Sequence, residues 1–221
     1  MQDLISVIIP VRNGSNYIKD AIEGILSQDM NVEIIVVDDC SADNTIEIAE
    51  SYGCKILKHD KHLGPVTAKN NGLKAAKGEY ILFHDHDDIM TEGALKKLFN
   101  EFEPDIAAVE AKVQDWFSPD LQKEERLKTH IKQEPYWGLF TGAILIKRNA
   151  FNTIGFFDES VKSGEIIDWQ TRMDSLGLRI KKIDFVSTRR RIHSSNFGRT
   201  DKKTEFRDYA AILRAKIKNR L

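Results

Sequence analysis

Short apolar runs that alternate with segments of helical periodicity constrain this 221-residue chain more than any other feature. Residues 4–10 (LISVIIP) and 32–37 are continuous and rich in β-branched side chains, as strands covered on both faces must be. Residues 54–57 and 80–83 are shorter runs of the same kind. Between them, Ile18, Ala21, Ile22, Ile25 and Leu26 recur at helical spacing, and Asp43 is placed to cap a helix carrying Ile46 and Ala49. Gly64-Pro65 opens a helix that stops by Gly78, and Thr91 is placed to cap another that carries Leu95, Leu98, Phe99 and Phe102. Strand–helix alternation repeated this often predicts an α/β fold with a doubly wound, mostly parallel sheet.

After Pro104 the pattern loosens. Residues 106–113 read as a strand, 118–134 are polar and unassigned, and 141–146 read as a strand followed by a short helix through Phe151. A helix over 165–176 ends at Gly177, and a strand over 180–186 leads into Arg189-Arg190-Arg191-Ile192-His193. Residues 204–221 read as an amphipathic helix with Phe206, Tyr209, Leu213 and Ile217 on one side. The whole is expected to be one domain.

Charge separates the two ends. Residues 189–221 hold 11 Lys/Arg against 3 Asp/Glu, whereas the preceding 188 hold 22 against 31. The basic end suits an anionic partner, a lipid surface or a second subunit, but no aromatic-basic motif of nucleic-acid binders accompanies it. No run approaches the roughly 18 apolar residues of a membrane span. The start lacks the pattern of a secretion signal, and two cysteines, Cys40 and Cys54, fit a reducing compartment. The expected location is the cytoplasm, with peripheral contact at the inner face of the membrane as an option.

Residues 79–90, EYILFHDHDDIM, carry the chemistry. A short apolar strand breaks into three carboxylates within four residues, which are costly to bury without a counter-ion. If the chain stays extended, Asp85 and Asp87 point one way and His84 and His86 the other. Two carboxylates at the carboxyl end of a strand form a hard-oxygen site for Mg²⁺ or Mn²⁺ at the end of an open sheet where ligands bind. A solvated acidic turn is the plain alternative. Zinc is disfavoured, because no Cys or His pair at finger-like spacing completes a site. The first three strands end in Arg12-Asn13-Gly14, Asp38-Asp39 and His59-Asp60, an edge along which a nucleotide could lie. Neither a dinucleotide fingerprint nor a P-loop follows the first strand.

Taken together, SVIIPVRN, EIIVVDDCSADNT, AKNNGLKAAKGEYILFHDHDD, TGAILIKR and GFFDE resemble family 2 glycosyltransferases of the GT-A fold, in order from Ser6 to Glu159, with a weaker continuation to Asn196. The resemblance implies a metal-dependent, inverting transferase that takes a nucleoside-diphosphate sugar, with a UDP-sugar as the expected donor. It places Pro10, Arg12 and Asn13 on the nucleotide side, Asp39 at the base, Asn70 near the donor, Asp85 at the ribose or metal, and Asp87 as principal metal ligand, with Mn²⁺ or Mg²⁺ as cofactor. Residues 1–103 would form the donor half and 104–203 the acceptor side. The residues between Trp116 and Trp137 should line the acceptor side, and they do not identify the acceptor.

Two positions depart from the family pattern. Arg12 stands where the family has a base-stacking tyrosine. The usual Gly-Glu-Asp appears as Gly164-Glu165-Ile166, so an isoleucine occupies the expected base position. Glu165 and Asp168, three residues apart and on one helical face, remain as bases. Asp168 is preferred because Trp169 beside it could wall a sugar, although Ile166, Trp169 and Met173 also read as a buried stripe. Arg191-Ile192-His193 and Asn196 resemble the segment after the catalytic helix, which implies His193 as a third metal ligand or diphosphate contact and Arg191 as a phosphate partner. A sugar-nucleotide binder without catalysis, a nucleotidyltransferase and a basic adaptor stand as alternatives.

Overall fold

A computed structural model describes residues 3–138, 140–161 and 164–196. The strands are β1 (Ile5–Val11), β2 (Val32–Asp38), β3 (Lys55–Lys58), β4 (Tyr80–Phe83), β5 (Ile89–Met90), β6 (Ile106–Phe117), β7 (Ile144–Lys147) and β8 (Arg179–Ile192). The helices are α1 (Ile18–Leu26), α2 (Thr45–Ser51), α3 (Pro65–Ala75), α4 (Ala94–Asn100), α5 (Lys123–Lys128), α6 (Ala150–Ile154) and α7 (Glu165–Ser175). One sheet runs in the order β3-β2-β1-β4-β7-β6-β8-β5. Its pairings set six strands in one direction and reverse β7 and β5. This is the mostly parallel sheet that the alternation predicts.

Every residue of β1 is buried because both faces of the sheet are covered. One face packs Ile22 and Ile25 of α1, Ala49 of α2 and Leu95 and Leu98 of α4 against Val7 and Ile9. The other packs Val66 and Leu73 of α3, Phe151 of α6 and Trp169 and Met173 of α7 against Ile8 and Phe83. The buried stripe expected on α7 is borne out.

The close approach of α3 to β1 depends on Gly72. A Cβ there would lie 2.3 Å from Ile8 Cγ2 and 3.1 Å from Val37 Cγ2. Gly72→Ala is therefore expected to destabilise the fold by about 1–3 kcal/mol through overpacking. Chemical denaturation would measure it, and an unchanged midpoint would show that α3 can lift off at no cost.

From α4 onward the structure differs from the sequence reading in four places. α4 starts after Gly93, which is left-handed (φ 68°), so Thr91 is not its cap. Thr91 instead donates its hydroxyl to Val186 O at 2.6 Å and ties the chain after β5 to β8. Residues 141–143 form a 3₁₀ turn before β7, and α5 lies within the unassigned stretch. β6 and β8 are both longer than expected, because Trp116 and Phe117 continue the ladder opposite Arg191 and Ile192. The predicted helix over 204–221 lies outside the described residues.

Candidate active site

The carboxyl ends of β1, β2 and β4 meet at one edge, and hydrogen bonds between their loops fix its shape. Asn13, in the left-handed region at φ 53°, donates its N–H to Ser41 Oγ at 2.9 Å and accepts from Ala42 N at 2.9 Å. Asp43 accepts from Ser15 N at 3.1 Å and Thr45 N at 3.2 Å, so it joins two loops as well as opening α2. Gly14 lacks a side chain where a Cβ would stand 2.5 Å from His86 Cδ2 and from Val11 Cγ2, which lets the acidic turn close against β1. Pro10 is buried in β1, while Arg12 and Asn13 are exposed at its end.

Asp39 is buried at the end of β2 and accepts four hydrogen bonds. His59 Nδ1 (2.8 Å) and Leu63 N (2.7 Å) reach Oδ1, and His62 Nδ1 (2.6 Å) and Gly64 N (2.8 Å) reach Oδ2. Burial works to raise this carboxyl, but the backbone N–H of Leu63 and the other donors bring it below the ordinary range. The carboxylate expected to meet a base is therefore committed to shaping the loop over 59–64. That loop presents the half-exposed His62 at the same edge.

The extended alternation expected for 84–88 does not hold, because the chain turns at His86 and Asp87. His84 and Asp88 are buried, and Asp85, His86 and Asp87 are partly exposed. His84 stays below the ordinary imidazole value because burial disfavours its charged form. Asp88 is pushed well up by burial and by Asp87 and Asp85.

Asp87 Oδ2 meets His193 Nε2 at 2.8 Å and Asn196 Nδ2 at 3.2 Å. Burial opposes ionisation of Asp87, yet His86 and His193 draw its carboxyl down to about 2. Among the described residues no three His, Cys, Asp or Glu side chains form a ready metal cage. An ionised Asp87 beside Asp85 still suits Mg²⁺ or Mn²⁺, hard cations that are held by one or two carboxylates and complete their shell with phosphate oxygens and water. His193 is less suited to be a ligand than the resemblance implies, since its Nε2 is taken by Asp87 and its Nδ1 by Ser195 Oγ at 2.9 Å.

Arg191, expected beside a phosphate, is engaged with the acidic turn. Its Nε donates to Asp87 O at 2.8 Å, its Nη2 to Asp20 Oδ2 at 2.7 Å, and its backbone N–H to Asp88 Oδ1 at 2.9 Å. Only 4% exposed, it braces the acidic turn. Asn70 is likewise engaged: its amide donates to Phe157 O and Glu159 Oε1 and accepts from Phe157 N, so it clamps the GFFDE loop onto α3.

The two prospective bases part company. Asp168 pairs with Arg172 at 2.8 Å, and that guanidinium also bonds Ile154 O and Phe156 O, so Asp168 is drawn toward α6. Trp169 is wholly buried against Phe151 and Phe157 and donates to Gly155 O at 3.0 Å, so it walls no sugar. Ile166 lies in the core. Glu165, 8% exposed, meets Lys69 Nζ at 2.5 Å, and Lys69 also donates to Thr141 Oγ1 at 3.0 Å. Burial alone would lower the Lys69 ammonium, but Glu165 and then Asp85 hold it above its ordinary value. Lys69 thus links the Glu165 carboxylate electrostatically to the acidic turn. Sequence reasoning missed it, although Lys69 falls on the Val66–Leu73 stripe of α3, where a charge signals a buried partner.

Comparison with known proteins completes the description. The family described as "Glycosyl transferase family 2" matches residues 6–159. Glycosyltransferase GlyG of Streptococcus pneumoniae serotype 4 is 29% identical over 251 residues, covering 98% of this chain and 80% of GlyG. Staphylococcus aureus TarS 1–349, crystallised with UDP-GlcNAc, superposes with a TM-score of 0.68 at 24% identity, covering 89% of this chain and 60% of that one. The mannosyltransferase PcManGT of Pyrobaculum calidifontis, solved with GDP-Man and Mn²⁺, reaches a TM-score of 0.75 at 17% identity, covering 99% and 65%. The chain spans only 55% of other curated relatives, from Rickettsia. At these identities the two structures establish a shared GT-A fold.

Proposed function

The chain belongs to glycosyltransferase family 2, and on that premise we propose that it transfers a sugar from a nucleoside diphosphate to an acceptor hydroxyl with inversion, using a UDP-sugar and Mn²⁺ or Mg²⁺. The observation that carries this reading is the ionised Asp87, held by His193 and Asn196 at the end of β4. UDP-GlcNAc in TarS and GDP-Man with Mn²⁺ in PcManGT support a nucleotide-sugar donor and a divalent ion. Asp87 and Asp85 would hold the cation, which supplies positive charge where the diphosphate departs.

In this reading the protein's own groups act as follows. The Asp39-held loop and the end of β1, with Pro10, Arg12 and Asn13, seat the nucleoside. The acceptor oxygen attacks the anomeric carbon as the bond to the diphosphate oxygen breaks, and the acceptor proton passes to Glu165. Lys69, in direct contact with that carboxylate, holds it in place for the transfer. The donor half, residues 1–103, and the acceptor side, residues 104–203, act as one domain. The acceptor is a saccharide, a lipid-linked saccharide or a protein. No helix among the described residues is long and apolar enough to cross a membrane.

Calorimetric titration with UDP, GDP and TDP, with and without Mn²⁺, tests the reading. Wild type should bind one nucleotide in a Mn²⁺-dependent manner, and Asp87→Ala should weaken that binding by about tenfold or more. Failure of a folded wild type to bind any of the three would overturn it. A second reading, a sugar-nucleotide binder without transfer, draws on the burial of Ile166 at the usual base position. It predicts normal nucleotide binding with no turnover.

A further inference from the structure

Tyr17, just before α1, makes no hydrogen bond to the acidic turn, yet its ring lies against both side chains that hold that turn. Its centroid is 4.5 Å from the His193 imidazole centroid, and the Arg191 guanidinium carbon stands 4.9 Å from it. Arg191 is also 4.6 Å from the Trp116 ring, so it is confined between two aromatic side chains from opposite halves of the chain. The Tyr17 hydroxyl donates to Asp120 Oδ2 at 2.7 Å, beyond the end of β6. Burial and this bond push the phenol up to about 12, so it remains a donor throughout the neutral range.

His193 is buried, and its imidazole is bounded by two hydrogen bonds and the Tyr17 ring. Its ring nitrogens meet Ser195 Oγ and Asp87 Oδ2, and Ser195 belongs to the same short turn. Tyr17 lies against that imidazole and closes its own side to any tilt of the ring.

We propose that Tyr17 is a positioning residue for the centre formed by Asp87 and His193: its ring sets the imidazole on Asp87, and Asp120 fixes the ring. This rests on the proposed function only insofar as the centre serves a metal-bound diphosphate. The consequence is that affinity for the cation depends on a side chain that would not touch it, as supporting groups around metal ligands do.

Two measurements on the full chain test it. Electron paramagnetic resonance titration with Mn²⁺ alone should show Tyr17→Ala about tenfold weaker than wild type, with Tyr17→Phe recovering most of the loss. In metal-free protein, long-range ¹H–¹⁵N spectra should show the His193 imidazole, assigned through His193→Gln, fixed in wild type and averaged in Tyr17→Ala. An imidazole equally fixed in folded Tyr17→Ala would overturn the proposal. So would unchanged Mn²⁺ affinity in that variant. A wild type that binds no Mn²⁺, with His193 freed by Tyr17→Ala, would sink the metal reading and leave the positioning role standing. Should Tyr17→Ala not fold, Tyr17→Leu fills the volume without an aromatic face and carries the same expectations.

Discussion

Glu165→Gln should lower turnover by about three orders of magnitude while nucleotide affinity changes less than about twofold. The amide keeps the shape of the side chain and can still accept from Lys69, so the local packing survives. It cannot take a proton. The effect should thus fall on turnover, with little change in KM for the donor. Asp168→Asn is the matching control: it breaks an ion pair with Arg172 that points at α6, and transfer should fall no more than severalfold. If the ranking reverses, the acceptor proton leaves by way of Asp168. Should neither substitution matter while wild type turns over, some other group takes the proton.

Lys69→Met should destabilise the protein by about 3–5 kcal/mol, a loss of about 10 °C in Tm for a chain of this size. The substitution fits the volume but leaves Glu165 buried without a counter-charge. The pH dependence follows from the direction of the shift. Because Lys69 is held above its ordinary value of 10.5, its contribution is complete below that value and disappears only as pH rises through the folded-state pKa. The ammonium's contribution to wild-type stability should therefore be undiminished across the neutral range and fall away only in alkaline solution. Adding Glu165→Leu to Lys69→Met should restore much of the lost stability, since the stranded charge is removed. A Lys69→Met protein as stable as wild type would show that the pair is solvated and the ammonium dispensable.

How far the sequence disclosed this site depended on what each signal measures. The β-branched runs located β1 and β2 within a residue or so, because burial on both faces leaves no polar position to confuse the pattern. Helical spacing correctly put Glu165 and Asp168 on one side of α7 and Trp169 on the buried stripe. It says nothing about what stands opposite each turn, and a turn's advance along the axis takes one carboxylate to Lys69 and the other to Arg172. The three arginines show the same limit. The structure leaves Arg189 exposed over Trp116, pairs Arg190 with Asp115 and buries Arg191. Which one would be buried depended on Asp20 and the acidic turn, both far away in sequence. The resemblance placed Asp39 at the base, and its four donors come from a loop 20 to 25 residues later.

The bracing of the acidic turn by β8 also sets when the site can come into being. Asp87 reaches His193 across 106 residues, and the Arg191 backbone reaches Asp88 across 103. β5, which closes the turn, pairs with β8 alone among the described strands. A chain emerging from the ribosome can thus assemble β1 to β4 and the nucleotide edge while its cluster of carboxylates still lacks an arginine, a histidine and a partner strand. Closing so long a loop comes late, after the local contacts have formed. The bracing of the site thus waits on β8, and a chain interrupted before Arg179 carries the nucleotide edge without the Arg191 and His193 contacts to its acids.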